Sequence, residues 1–249
     1  MRALVAVALW LLALVAPALG EEKVVASLSQ NRVQITSDFA GSEILIFGAI
    51  KRDRPVTSDE NLAVIVTVSG PLRHEVIRRK ERRLGIWINV DATPLPRTPS
   101  FYVMTSTAPL ADILPPELDE EWGISIDRAI APTAAGTKER AALLRLREQA
   151  DLYRAREGAI QLVDDTLFRV SVELPANLIE GGYQTRIFLL RDGALIDEQT
   201  ANINVQKVGL ERLLYNMAQQ QALLYGALSL FIAIAAGWGA SALFRYIRS

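Results

Sequence analysis

His74 is the single histidine of this 249-residue chain, it precedes Glu75 in a basic stretch, and cysteine is absent. An acyl-transfer triad would need that histidine as its base, yet no G-x-S-x-G elbow, H-E-x-x-H pair or phosphate-cradling glycine loop accompanies it. The lack of cysteine removes thiolate nucleophiles, zinc–thiolate sites, disulfides and a lipid-modified N-terminal cysteine together. The remaining acid–base candidates are two runs of adjacent carboxylates, Asp119-Glu120-Glu121 and Asp164-Asp165. Neighbouring residues on a strand point to opposite faces, and neither run has the spacing of a calcium loop. They are expected to be solvated loop charges. We therefore expect no catalytic residue, no metal ligand and no cofactor, and the chain reads as a non-enzyme.

Two other patterns carry chemistry of a different kind. Arg73 to Arg83 reads RHEVIRRKERR. In an extended strand Arg78, Lys80 and Arg82 share one face, and Arg79 and Arg83 the other. Charge on both faces predicts a protruding hairpin that turns before Gly85. Arg78, Lys80 and Arg82 are candidate contacts for an anion, a lipid headgroup or an acidic partner; the alternative is a solvated hairpin whose charges block edge-to-edge pairing. The second pattern is a stripe of small residues near the C-terminus, Ser229, Ala233, Gly237 and Ser241, four apart. On a membrane helix such a stripe lets a second helix approach closely. It is a candidate contact for a membrane-protein partner or for self-association.

The elements that would carry these residues are mainly strands. Arg32 to Thr36 alternates polar and apolar residues. Glu43 to Ile50 and Leu62 to Val68 are apolar runs rich in β-branched residues, expected to be central strands covered on both faces. Gly85 to Val90, Phe101 to Thr105, Thr166 to Leu174, Tyr183 to Leu190 and Ala194 to Val205 follow, separated by turn residues such as Ser69-Gly70-Pro71 and Arg191-Asp192-Gly193. Short strands at this spacing predict an immunoglobulin-like antiparallel sandwich. A helical insertion over about 109–158 interrupts it: a loop or short helix from Pro109 to Glu121, and a helix from Thr137 to Glu157 ended by Gly158. The apolar stripe of that helix is Leu143, Leu146, Ala150 and Tyr153. One interrupted sandwich is preferred over two independent domains.

Both ends point to a membrane. Residues 223–244 hold no charge, and about 20 apolar residues in a helix cross the ~30 Å hydrocarbon core of a bilayer. Arg245 and Arg248 follow in a short tail, 245–249. At the other end Arg2, an apolar run and Ala18-Leu19-Gly20 form the pattern of a signal peptide over residues 1–20; a retained anchor is the alternative. Cleavage there places a domain over 21–206 outside the cytoplasm, an amphipathic segment over 207–222 at the interface (Leu210, Leu213, Leu214, Met217), and the basic tail in the cytoplasm. The formal net charge of −1 gives no general attraction for nucleic acid.

In its segments ITSDFAGSEILIFGAI, RRKERRLGIWIN and FYVMTSTAPL, and above all in the block from Gly209 to Arg245, the chain resembles an alphaproteobacterial family of single-pass transmembrane proteins of unknown function. That family has no assigned activity, so the resemblance implies no site residues. It implies an inner membrane and a periplasmic domain. The resulting expectation is an accessory subunit of a polytopic membrane protein, such as a transporter. The alternative is an anchored periplasmic module that binds a small anion or envelope component.

Overall fold

A computed structural model of the chain describes residues 22–52, 61–130, 137–209, 215 and 217–248. The expected signal peptide, and Leu210, Leu213 and Leu214 of the expected interface segment, lie outside these residues. The strands are β1 (Lys23–Leu28), β2 (Arg32–Ile35), β3 (Ser42–Lys51), β4 (Leu62–Ser69), β5 (Leu72–Arg83), β6 (Ile86–Pro99), β7 (Tyr102–Ser106), β8 (Tyr153–Arg156), β9 (Gln161–Val163), β10 (Leu167–Leu174), β11 (Gly181–Arg191) and β12 (Ala194–Lys207). They form a four-stranded sheet, β1-β3-β10-β9, a six-stranded sheet, β2-β12-β11-β4-β7-β8, and a two-stranded ribbon, β5-β6. Pairing is antiparallel except for β2 with β12 and β7 with β8. Ile44, Ile46 and Val170 of the smaller sheet join Val66, Ile187 and Ile203 of the larger in one buried apolar cluster.

The two apolar runs expected to be covered on both faces differ. In β4 every residue from Ala63 to Val68 is buried. In β3 the burial alternates, and Leu45 and Phe47 face outward, exposed. That expectation is therefore corrected for β3. The cause is what lies outside each sheet. Over the larger one pack α1 (Leu110–Ile113), α2 (Pro116–Trp122) and α3 (Ile126–Ala129). The Trp122 ring stands edge-on to Phe188 of β11, centroids 6.0 Å apart. Arg186 Nη1 donates to the Trp122 carbonyl at 3.0 Å, and the Tyr102 hydroxyl to the Ile124 carbonyl at 2.8 Å. Burial pushes the Tyr102 pKa up to about 12.

Asp119, expected to be a solvated loop charge, has a structural task. Its Oδ1 accepts from the backbone N–H groups of Ile124 and Ser125, at 3.0 and 2.7 Å, and so closes the turn between α2 and α3.

The helix expected over Thr137–Glu157 is shorter: α4 is Thr137–Gln149. It stops because Asp151 takes a left-handed conformation, φ 58°. The Leu152 N–H then donates to the Arg147 carbonyl at 2.8 Å and the Asp151 N–H to Glu148 at 3.0 Å, the two bonds of a Schellman ending. Gly158 lies beyond, in the turn after β8. Of the expected stripe, Leu143 is buried, Leu146 is exposed, and Tyr153 belongs to β8, where its hydroxyl donates to the Pro99 carbonyl.

The ribbon β5-β6 is a continuation of the β4-β7 ladder. Ser69 pairs with Tyr102, the Gly70 N–H donates to Phe101 at 2.8 Å, the Ser100 N–H to Pro71 at 3.0 Å, and Leu72 pairs with Pro99. The two strands thus run past the end of the sandwich without a break. At that same end Gly181 leaves room for Pro71: a Cβ there would stand 2.9 Å from the proline ring. Gly181 pairs with Val205, two residues before β12 ends. The ribbon and the chain's exit toward its C-terminal helix therefore share one pole. Glu22, ion-paired with Arg191, marks the opposite pole. The C-terminal helix is α5 (Ala222–Arg248).

Candidate functional site

The basic stretch lies on β5 as expected, and the ribbon turns at Leu84-Gly85. The extra residues that cause its two register shifts fall on β6, at Val90 and Pro96, so the alternation along β5 is kept. Arg78, Lys80 and Arg82 are all exposed on one face. Among the described residues none of the three has an ion-pair partner. On the other face Glu81 pairs with both Arg79, at 2.6 Å, and Arg83, at 3.3 Å. One face of the ribbon is thus partly compensated by its own carboxylate and the other is not. Reading the sequence alone missed what accompanies the free cations. Trp87 pairs with Arg82 across the ribbon and is 68 % exposed, and Leu84 and Ile86 at the tip are exposed as well. The signal was present in GIWINV, whose apolar residues have no second layer to meet.

His74 lies at the ribbon's base, where its Nε2 accepts from Arg97 Nε at 3.2 Å. Among the described residues no hydroxyl hydrogen-bonds to it. Glu75 is held by Arg147 of α4. His74, Glu75 and Arg147, with Arg73, Ser100 and Tyr183, line a cleft of about 250 Å³. The Glu75–Arg147 ion pair crosses the cleft and makes it a joint between ribbon and helix. Asp164 and Asp165 both sit in the β9–β10 turn with positive φ, 50° and 46°.

The second surface was not foreseen. The outward residues of the four-stranded sheet lie in register, Val25 beside Ala49, Ala49 beside Leu167, and Leu167 beside Val163, so one apolar row crosses all four strands. Phe47 and Leu45 continue it along β3. Val25, Leu45, Phe47, Val163 and Leu167 are 41–60 % exposed. Val25, Phe47, Val163 and Leu167 line a shallow groove of about 620 Å³. Exposed apolar residues scattered singly need no explanation, but a contiguous patch marks a binding surface. The patch is flat, firm ground, because the inner side of β3 is tightly packed. A Cβ at Gly48 would meet the Phe168 ring at 2.7 Å.

Ser229, Ala233, Gly237 and Ser241 are all on α5, four apart and exposed. The Ser229 hydroxyl donates to the Gly226 carbonyl at 2.9 Å, and space is open around Gly237. The four residues are therefore displayed along the helix, with no packing partner among the described residues. A metal-ion site has no counterpart there either: no three His, Cys, Asp or Glu side chains gather among the described residues.

Comparison with known proteins adds a family. A family model described as "Putative transmembrane protein (Alph_Pro_TM)" matches residues 23–246. No curated protein matches the chain. Among solved structures it is similar to the crystal structure of Spo0M, a sporulation control protein from Bacillus subtilis, at 9 % identity and a TM-score of 0.28. The match covers 76 % of this chain and 50 % of that one, so the chain spans about half of its length. Within the described residues one helix, Ala222–Ser241 of α5, is long and apolar enough to cross a membrane, and by the extent of the family match the chain belongs to this alphaproteobacterial transmembrane protein family.

Proposed function

We propose that the chain is a non-enzymatic, membrane-anchored interaction subunit whose periplasmic sandwich docks, through the outer face of the four-stranded sheet, onto a polytopic inner-membrane protein such as a transporter. The observation that carries this reading is the apolar row Val25–Ala49–Leu167–Val163 with Phe47 and Leu45. Its place in the fold favours a protein as occupant. Leu167 and Val25 lie toward the pole marked by Glu22, away from the pole where the chain leaves for α5. Lipid is therefore the less accessible occupant, and a partner with mass outside the bilayer fits.

The sandwich itself is of immunoglobulin type in this reading. The orders β1-β3-β10-β9 and β12-β11-β4-β7 correspond to the A-B-E-D and G-F-C-C′ sheets of that fold, with β2 as a leading segment that crosses to the second sheet. Arg245 and Arg248 after the span support a cytoplasmic C-terminus. The stripe on α5 offers a second contact within the membrane, with the same partner or with a second copy.

A photo-crosslinking residue at Phe47, in the full-length protein in native membranes, tests the reading. The expected result is one adduct with a polytopic protein, lost when Leu167→Asp is added and weakened by Gly237→Leu. Adducts with lipid alone, or none, would contradict it.

A further inference from the structure

The geometry points to a second, separate surface: the tip and the uncompensated face of the β5-β6 ribbon bind the anionic surface of the bilayer in which the chain's own helix is anchored. Three observations lead there. First, the ribbon extends the β4-β7 ladder beyond the pole from which β12 leads to α5, so it projects from the end of the domain that is tethered to the membrane. The ribbon is packed on the domain as far as Ile77 and Leu95, and beyond that the six residues Arg78–Arg83 reach about 20 Å when extended. The segment 208–221 between β12 and α5 spans about 20 Å if helical and more if extended. At the helical span of that segment the tip reaches the bilayer surface.

Second, the charges are sorted. Glu81 pairs with Arg79 and Arg83 on one face and offsets one of their two charges, while Arg78, Lys80 and Arg82 on the other have no counter-ion among the described residues. A layer of lipid phosphates supplies many anions in a plane, and a flat row of cations suits it better than a single small anion, which needs a pocket.

Third, the same end carries the side chains that enter a headgroup layer. Trp87 lies beside Arg82, and Leu84 and Ile86 form the turn and its flank, all more than 60 % exposed. Tryptophan settles at the membrane–water interface, where its ring is apolar and its N–H can reach polar groups. A merely solvated, edge-protecting hairpin gains nothing from an exposed Trp, Leu and Ile at its tip. This inference is independent of the docking face on the four-stranded sheet.

The absence of cysteine makes the test clean. Full-length protein with Leu84→Cys, labelled with an environment-sensitive dye, is reconstituted into vesicles of phosphatidylcholine alone or with phosphatidylglycerol. With phosphatidylglycerol the dye should shift to the blue and be quenched by headgroup spin-labelled lipid, and both effects should fade as salt rises. At about fivefold per cation, the combined Arg78→Glu, Lys80→Glu and Arg82→Glu changes should lower the docked-to-free ratio at least about a hundredfold. Unchanged circular dichroism would show that this variant is folded, and single Lys80→Glu should give a smaller loss in the same direction. A dye that stays in water with either lipid would overturn the inference. So would a dye shielded only in native membranes and not in phosphatidylglycerol vesicles, which would assign the tip to a protein.

Discussion

β3 and β4 are almost alike as sequences, EILIFGAI and LAVIVTV, and they meet different fates. β4 lies inside its sheet with helices over its outer side, and six residues in a row are buried. β3 is equally central in its own sheet, yet half of its apolar side chains look outward. The difference lies in the rest of the chain. The insertion between β7 and β8 supplies Trp122, Ile124 and Ile130 to cover one sheet, and no segment among the described residues covers the other. A strand composed for two covered faces but given only one cover fits the docking face proposed for it. The hydrophobic cost of keeping Phe47, Leu45 and Leu167 in water is offset only when something else covers them.

That contrast can be tested by breaking each side of it. The largest effect is expected from Val66→Asp in β4, where a buried and unpaired carboxylate should cost more than about 4 kcal/mol and leave the domain unfolded by circular dichroism. Next comes Trp122→Ala. Loss of the contact with Phe188 should cost about 2 kcal/mol and bare part of the larger sheet, so that binding of a hydrophobic dye rises as melting temperature falls.

A smaller effect concerns the tyrosine that ties the cover to its sheet. Burial holds Tyr102 protonated up to about pH 12, and Tyr153 likewise. Between about pH 10 and 12 the unfolded chain loses these phenolic protons while the folded chain keeps them. The unfolded state then binds fewer protons, so stability falls as pH rises through that window and is unaffected below it. Melting temperatures from pH 8 to 11.5 should show this decline. Tyr102→Phe should lower stability by about 1 kcal/mol at pH 8 and flatten the decline above pH 10. The smallest effect belongs to Phe47→Asp on β3, about 0.5 kcal/mol or less in the purified protein. If Phe47→Asp were as damaging as Val66→Asp, the contrast between the strands would be void.

Much of this architecture could be read from the residues. β-branched runs and their turns gave most strands, and the period of two placed Arg78, Lys80 and Arg82 on one face of a hairpin. Three things could not be read, for physical reasons. A short apolar run records that it must be covered but not by what, so the bare side of β3 was invisible. β6 contains Pro94, Pro96 and Pro99, which argue against a strand; they are tolerated because β6 pairs only with β5 and its other edge needs no donors. Tyr153–Arg156 is charged and reads as helix, but the left-handed turn at Asp151, without a glycine to announce it, ends α4 early and sends Tyr153 into the sheet. The stripe on α5 was legible as a pattern, and nothing among the described residues packs on it.

The central claim is that the outer face of the four-stranded sheet is covered by a protein in the native membrane. A single cysteine tests it most directly, since the chain has none of its own. Ser27→Cys sits on that face opposite Phe47 and changes one atom, and Arg145→Cys on the exposed side of α4 serves as reference. Maleimide labelling of each is compared in native membranes and after purification in detergent. The account predicts that Cys at 27 is labelled slowly in membranes and rapidly once purified, while the reference is labelled rapidly in both. Equal and rapid labelling at residue 27 in native membranes would contradict it.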